Sequence, residues 1–143
     1  MYKVFTYGTL MKGQRNHHYL KDEDYVCDGI LDDYGLKETG ENYPAAIPMK
    51  NYRVYGEIYE VDDTCKKHMD ELEEVGYLYD CNLVNVHTDK GDMDVFFYEY
   101  ICDTSDMKTR IPYGKWNENP LDVDDADMNN EEIRKVMDSI NAK

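Results

Sequence analysis

The sequence predicts a single-domain α+β fold, and three observations carry that reading. Strand-like runs dominate the middle of the chain, two separate segments show helical apolar spacing, and 143 residues suffice for one core. A chain of this size buries about two-thirds of the surface that its unfolded form exposes. No stretch repeats at a fixed period, and no Gly/Ser- or Pro-rich linker divides the chain.

The first strand is predicted over residues 2–7, which are rich in β-branched and aromatic side chains, and Gly8 ends it. Residues 16–20 begin a short helix. Two further strands are predicted over 25–31 and 54–61, and between them Gly35, Gly40, Pro44 and Pro48 punctuate an irregular loop. A helix follows over about residues 64–74, because a carboxylate at Asp62 or Asp63 accepts bonds from the orphan N–H groups of its first turn. On it Cys65, Met69 and Leu72 recur at i, i+4 and i+7, a stripe that must meet the core. Residues 83–88 and 93–102 then flank Asp89-Lys90-Gly91-Asp92, a hairpin turn. The last helix, over about residues 131–140, places Ile133, Val136, Met137 and Ile140 on one face, with Asn129 and Glu132 positioned like a capping box. Residues 117–130 are rich in Asp and Asn and read as a surface connection. The expected division is therefore a domain over 1–116, with an acidic connection and a C-terminal amphipathic helix over 117–143 packed on it.

Composition removes several function classes. A net charge of −15 repels phosphate backbones and anionic membranes, so neither nucleic acid nor membrane is an expected partner. The apolar runs fall far short of the roughly 20 residues needed to span a bilayer. The chain passes from Met1 straight into strand-like sequence without the apolar core of a secretory signal, which predicts a cytoplasmic protein. Cys27, Cys65, Cys81 and Cys102 are widely spaced and read as reduced, mostly buried thiols. His17 and His18 are adjacent, diverge on any regular element and have no ligand at i+4, so they are assigned to helix surface and packing and no metal is expected. Tyr52, Tyr55, Tyr59, Tyr77, Tyr79, Tyr98 and Tyr100 lie on or beside strands and read mostly as half-buried sheet residues. No G-x-S-x-G elbow, P-loop or dinucleotide fingerprint occurs.

Two features remain that can carry chemistry. In Tyr7-Gly8-Thr9-Leu10 a strand ends at a glycine, and a turn there can aim several N–H groups at one anion while Gly8 removes an obstructing Cβ. The same string also reads as an ordinary turn. Glu73 lies roughly 70–75° from the buried direction of its helix, closer to it than Asp70, Glu71 or Glu74. Held at the edge of the core, its carboxyl gains a raised pKa suited to general acid/base work. It reads equally as a solvated carboxylate whose stem covers apolar surface.

Residues 4–20, VFTYGTLMKGQRNHHYL, resemble the opening of γ-glutamylcyclotransferase-like (AIG2-like) proteins, roughly V-F-V-Y-G-T-L-x-x-G-x-x-N-H, nearest the γ-glutamylaminecyclotransferase branch and its small bacterial relatives. Four later stretches keep the family order: Gly29-Ile30-Leu31 with Tyr43-Pro44-Ala45-Ala46, then Val54-Tyr55-Gly56-Glu57-Ile58-Tyr59-Glu60-Val61, then Met69-Asp70-Glu71-Leu72-Glu73 with Tyr79, and finally Ile111-Pro112-Tyr113-Gly114-Lys115-Trp116. The resemblance implies a compact mixed β-barrel with flanking helices, a substrate loop at Tyr7, Gly8, Thr9 and Leu10, and Glu73 as general acid/base. Tyr79 and Tyr98 are wall or hydrogen-bonding candidates. The chain departs from the family where E-G-Y-P becomes Glu73-Glu74-Val75-Gly76, and where an arginine two after Tyr79 becomes Cys81. These departures place substrate specificity at the rim of the carboxylate.

The implied reaction takes a small-molecule γ-glutamyl substrate. Its α-amino group attacks its own γ-carbonyl, releasing an amine and closing 5-oxoproline, and no cofactor is needed. The family scaffold also accommodates a non-catalytic γ-glutamyl or amino-acid binding module, or an amidase/acyl hydrolase in which Glu73 activates water. The leaving amine and the oligomeric state stay open at this point.

Overall fold

The computed structural model describes residues 1–107 and 109–111. The predicted C-terminal helix, the acidic connection before it and residues 112–116 lie outside the described residues. Within them, β1 (Tyr2–Thr6), β2 (Asp24–Glu38), β3 (Pro44–Val61), β4 (Tyr79–Val86) and β5 (Met93–Tyr100) form one mixed sheet in the order β2-β3-β1-β5-β4. A 3-10 turn at His17–Leu20 and one α-helix, α1 (Asp63–Leu72), complete the elements.

The central strand shows how the pattern builds two cores. β1 runs antiparallel to β3, with Tyr2 opposite Val61 and Thr6 opposite Glu57, and parallel to β5, with Phe5 opposite Phe97. Its side chains alternate between the faces. Val4 packs with Leu20, Tyr59, Cys65 and Met69, where α1 and the 3-10 turn cover the sheet. Phe5 packs with Val54, Ile58, Val86, Val95 and Phe97. Of the two capping candidates, Asp62 is the cap of α1, and its Oδ1 accepts from the Cys65 N–H at 2.7 Å. Cys65 and Met69 are buried, and Leu72 packs at the margin.

Most of the segment read as an irregular loop is strand, because β2 and β3 form a long hairpin that leaves only residues 39–43 as its turn. Each breaker residue is absorbed by its position. Pro44 opens β3, where a missing N–H is tolerated. Pro48 sits opposite Tyr34 beside a register shift. There Asp33 and Asn51 adopt φ of 63° and 71°, and the Asn51 N–H donates to Asp33 Oδ1 at 3.1 Å. The Cβ that Gly35 lacks would stand 2.6 Å from Met49 Sδ, so the glycine admits that side chain. The tyrosine pattern has one exception: Tyr77 lies in the turn after α1 and is 81% exposed.

The sheet is curved but not a closed barrel. Its outer strands approach at one isolated bridge, where the Ile30 N–H donates to the His87 carbonyl at 2.9 Å and the His87 N–H donates back at 3.0 Å. The His87 ring reinforces this seam, with Nε2 2.8 Å from Asp32 Oδ2 and Nδ1 2.8 Å from Asp92 Oδ1. The two carboxylates hold the imidazole pKa above its ordinary value, the Asp92 hydrogen bond being the largest cause. All four cysteines are free; Cys27 and Cys65 are buried, Cys81 and Cys102 partly so. No helix among the described residues is long and apolar enough to cross a membrane.

Candidate active site

The carboxyl end of β1 opens into a pocket to which four other parts of the chain contribute. Its wall comprises residues 5–10, Tyr43 and Pro44 at the head of β3, Glu73 at the end of α1, Tyr79 at the start of β4, and Tyr98 on β5. Its non-atom space, open mouth included, is about 320 Å³. All seven residues singled out in the sequence therefore line one cavity. Tyr43 and Pro44 complete it; the sequence offered Tyr43-Pro44-Ala45-Ala46 as a family string but no chemistry for it.

Glu73 reaches the pocket because α1 ends there. Its N–H closes the last turn on the Met69 carbonyl at 2.9 Å, and its backbone sits at φ −82°, ψ 0°. The next residue turns the chain away. Glu74 takes φ 50° and donates to the Glu71 carbonyl at 3.2 Å, while the Val75 N–H reaches the Asp70 carbonyl at 3.1 Å. That pattern is a Schellman helix stop with glutamate at the left-handed position glycine usually fills. The family's E-G-Y-P has glycine at this place, so the departure keeps the geometry and adds backbone strain on the order of 1 kcal/mol.

The Glu73 carboxyl has no hydrogen-bond partner among the described residues, and burial alone pushes its pKa from 4.5 up to about 7. This is the edge-of-core environment that the helix geometry pointed to. The remaining departures stand apart from the cavity. None of Glu74, Val75, Gly76 and Cys81 is on the pocket wall. Cys81 instead neighbours Lys66, whose ammonium lies 2.6 Å from Asp70 Oδ1, and burial pushes its thiol pKa up.

The loop presents donors that are unpaired among the described residues. Gly8 allows Pro44 to pack against it: a Cβ at this position would lie 2.9 Å from Pro44 Cγ and 3.0 Å from Cδ. The close approach that requires glycine is therefore made by the proline ring of the pocket wall. The carbonyls of Gly8, Thr9 and Leu10 are all taken, by the Met11 N–H, the Asn16 N–H and His17 Nδ1 at 3.1, 2.9 and 2.8 Å. The N–H groups of Gly8, Thr9 and Leu10 find no acceptor among the described residues. A turn with occupied carbonyls leaves such N–H groups available to an anion. His17, assigned from sequence to surface and packing, is one of its anchors.

The tyrosines build the wall with their donor capacity already used. Tyr79 OH donates to the Pro44 carbonyl at 2.6 Å, Tyr98 OH to Asp70 Oδ1 at 2.7 Å, and Tyr7 OH to the Tyr98 carbonyl. Burial is the main reason that all three phenol pKa values are raised, so they stay neutral and fix the walls. Toward a ligand, Tyr79 and Tyr98 offer apolar surface and acceptor lone pairs. Among the described residues no group of three or more His, Cys, Asp or Glu side chains is placed to hold a metal ion.

A sequence model of the family described as gamma-glutamyl cyclotransferase, AIG2-like, matches residues 4–118. The chain belongs to that family. It is 39% identical over 74 residues to the γ-L-glutamyl-butirosin B γ-glutamyl cyclotransferase of Niallia circulans, covering 52% of this chain and 47% of the relative. To γ-glutamylaminecyclotransferase A of Danio rerio it is 36% identical over 100 residues, covering 64% of this chain and 62% of the relative. The match thus spans about half to three-fifths of the length of these curated relatives. The crystal structure of a mouse AIG2-like protein superposes with a TM-score of 0.75 at 25% identity, covering 87% of this chain and 99% of that one.

Proposed function

We propose that this protein is a γ-glutamylcyclotransferase that converts a γ-glutamyl amine or γ-glutamyl amino acid to 5-oxoproline and the free amine. The observation that carries the reading is the pairing, in one pocket, of loop N–H groups and a carboxyl of pKa about 7 that have no hydrogen-bond partner among the described residues. The N–H groups of Gly8, Thr9 and Leu10 hold the substrate α-carboxylate. Tyr7, Tyr79 and Tyr98 wall the glutamyl chain into its folded conformer, so that ring closure proceeds as an oriented intramolecular step. Glu73 takes a proton from the α-ammonium, and the freed amine attacks the γ-carbonyl carbon. As the C–N bond of the ring forms and the bond to the leaving group breaks, Glu73 returns that proton to the leaving nitrogen, and the second proton of the now positive ring nitrogen passes to the released amine, leaving the neutral lactam of 5-oxoproline and an ammonium product. A carboxyl poised near neutrality serves both transfers, so the reaction requires neither a metal nor an organic cofactor.

The relatives' names support the substrate class, since one acts on a γ-glutamyl-butirosin and another is named for γ-glutamylamines. A strongly acidic chain with four free cysteines supports a cytoplasmic small-molecule enzyme with no nucleic-acid or membrane partner. The test is to incubate purified protein with γ-glutamyl-ε-lysine, other γ-glutamyl amines, γ-glutamyl amino acids and glutathione, following 5-oxoproline and glutamate. Release of 5-oxoproline is expected. Glutamate alone would assign a hydrolase, and binding without product a recognition module.

A further inference from the structure

The loop N–H groups, vacant among the described residues, have to be kept so, because each could otherwise turn back onto a neighbouring carbonyl. In a planar trans peptide the C=O of one residue and the N–H of the next point in opposite directions, so fixing one fixes the other. The Leu10 carbonyl is held by His17 Nδ1 at 2.8 Å, which sets the plane carrying the Met11 N–H. That N–H donates to the Gly8 carbonyl at 3.1 Å, which sets the plane carrying the Thr9 N–H. The Asn16 N–H holds the Thr9 carbonyl at 2.9 Å and so sets the Leu10 N–H, and Asn16 Nδ2 also reaches Thr9 Oγ1 at 2.9 Å. The imidazole itself is braced. Its ring lies 5.8 Å from the buried Tyr59 ring, whose OH donates to Glu57 Oε1 at 3.0 Å, and the same oxygen accepts the Lys12 N–H at 2.9 Å.

We propose that His17 is a positioning residue for the substrate carboxylate: through the Leu10 and Met11 peptides it keeps the Thr9 N–H aimed at the pocket. His17 is not on the pocket wall, so it acts through the loop without touching substrate. The neutral ring protonated on Nδ1 and the imidazolium both donate to a carbonyl, so the anchor holds in either of these two forms. The inference rests on the cyclotransferase reading for its kinetic consequence, but its structural consequence can be read without turnover.

Two variants and two readouts test it. In His17→Ala, kcat/KM for a γ-glutamyl amine is expected to fall about 10- to 100-fold, mainly through KM, because displacement of a binding group by about 1 Å costs on this scale. The pH midpoint set by Glu73 should stay near 7. Amide exchange of Met11, measured by NMR on the free protein, should accelerate at least about tenfold as the turn loosens. His17→Asn places an amide donor where Nδ1 stood and should recover both values. An unchanged Met11 amide in His17→Ala overturns the proposal. So does a His17→Asn variant as impaired as His17→Ala, which would assign the effect to the ring's contact with Tyr59. If the wild type releases no 5-oxoproline from any substrate, the cyclotransferase reading fails, and the exchange comparison still decides the role of His17.

Discussion

Glu73 and His87 both have a pKa raised above the ordinary value, and for opposite reasons. Glu73 stands in the pocket without a hydrogen-bond partner among the described residues, and burial alone lifts its carboxyl to about 7. His87 stands at the half-exposed seam with a carboxylate on each ring nitrogen, and those partners lift its pKa. The first arrangement destabilises the fold when the group is charged; the second stabilises it. The contrast separates the two parts of the molecule: an unsatisfied group is available for proton transfer, while a saturated one braces the isolated bridge between the outer strands.

The comparison breaks most visibly at Glu73→Gln, which keeps size and polarity but removes the proton carrier. Turnover should fall by about 10³-fold or more with the fold retained, and near-wild-type kcat would remove Glu73 from the chemistry. Gly8→Ala comes next. Its new methyl, 2.9 Å from Pro44 Cγ, must displace the loop or the proline wall, and kcat/KM is expected to drop at least about tenfold.

Stability offers a third test with a definite sign. A carboxyl whose folded pKa is raised stabilises the folded state below its unfolded pKa, and that contribution is lost as pH rises through the folded value. For Glu73 the window is about pH 4.5 to 7, worth up to about 3 kcal/mol. Glu73→Gln should therefore melt above wild type at pH 8 and match it at pH 4.5. His87 obeys the same rule with the opposite consequence for its removal. Its raised pKa stabilises below its unfolded value and fades as pH climbs through the folded one, so His87→Ala should cost up to about 1 kcal/mol at pH 5.5 and less at pH 9. The smallest effect is expected at Glu74→Gly, which relieves the φ of 50° and should raise stability by about 0.5–1 kcal/mol in denaturant melts.

The sequence made α1 and the site legible because their signals are local. Asp62 announces the cap, Cys65, Met69 and Leu72 give the buried direction, and the same geometry picks Glu73 from its acidic neighbours. The candidate substrate loop is legible by its string, and its position at the end of the central strand follows from β1 lying between β3 and β5. The β2–β3 hairpin was misread because Gly35, Pro44 and Pro48 break strands in general, and only the partner strand shows that one admits Met49, one opens β3 and one sits beside a bulge. His17 and His87 were missed for a related reason. A turn folds His17 back onto Leu10, seven residues earlier, and the seam joins His87 to an aspartate on β2, so neither leaves a periodic trace.

The most direct test of the central claim is the titration of the Glu73 side-chain carboxyl carbon, followed by NMR in the free protein. A partnerless carboxyl enclosed by the pocket should titrate at about 7. A midpoint near the ordinary value of 4.5 would place Glu73 in solvent and contradict its assignment as the proton carrier of this site.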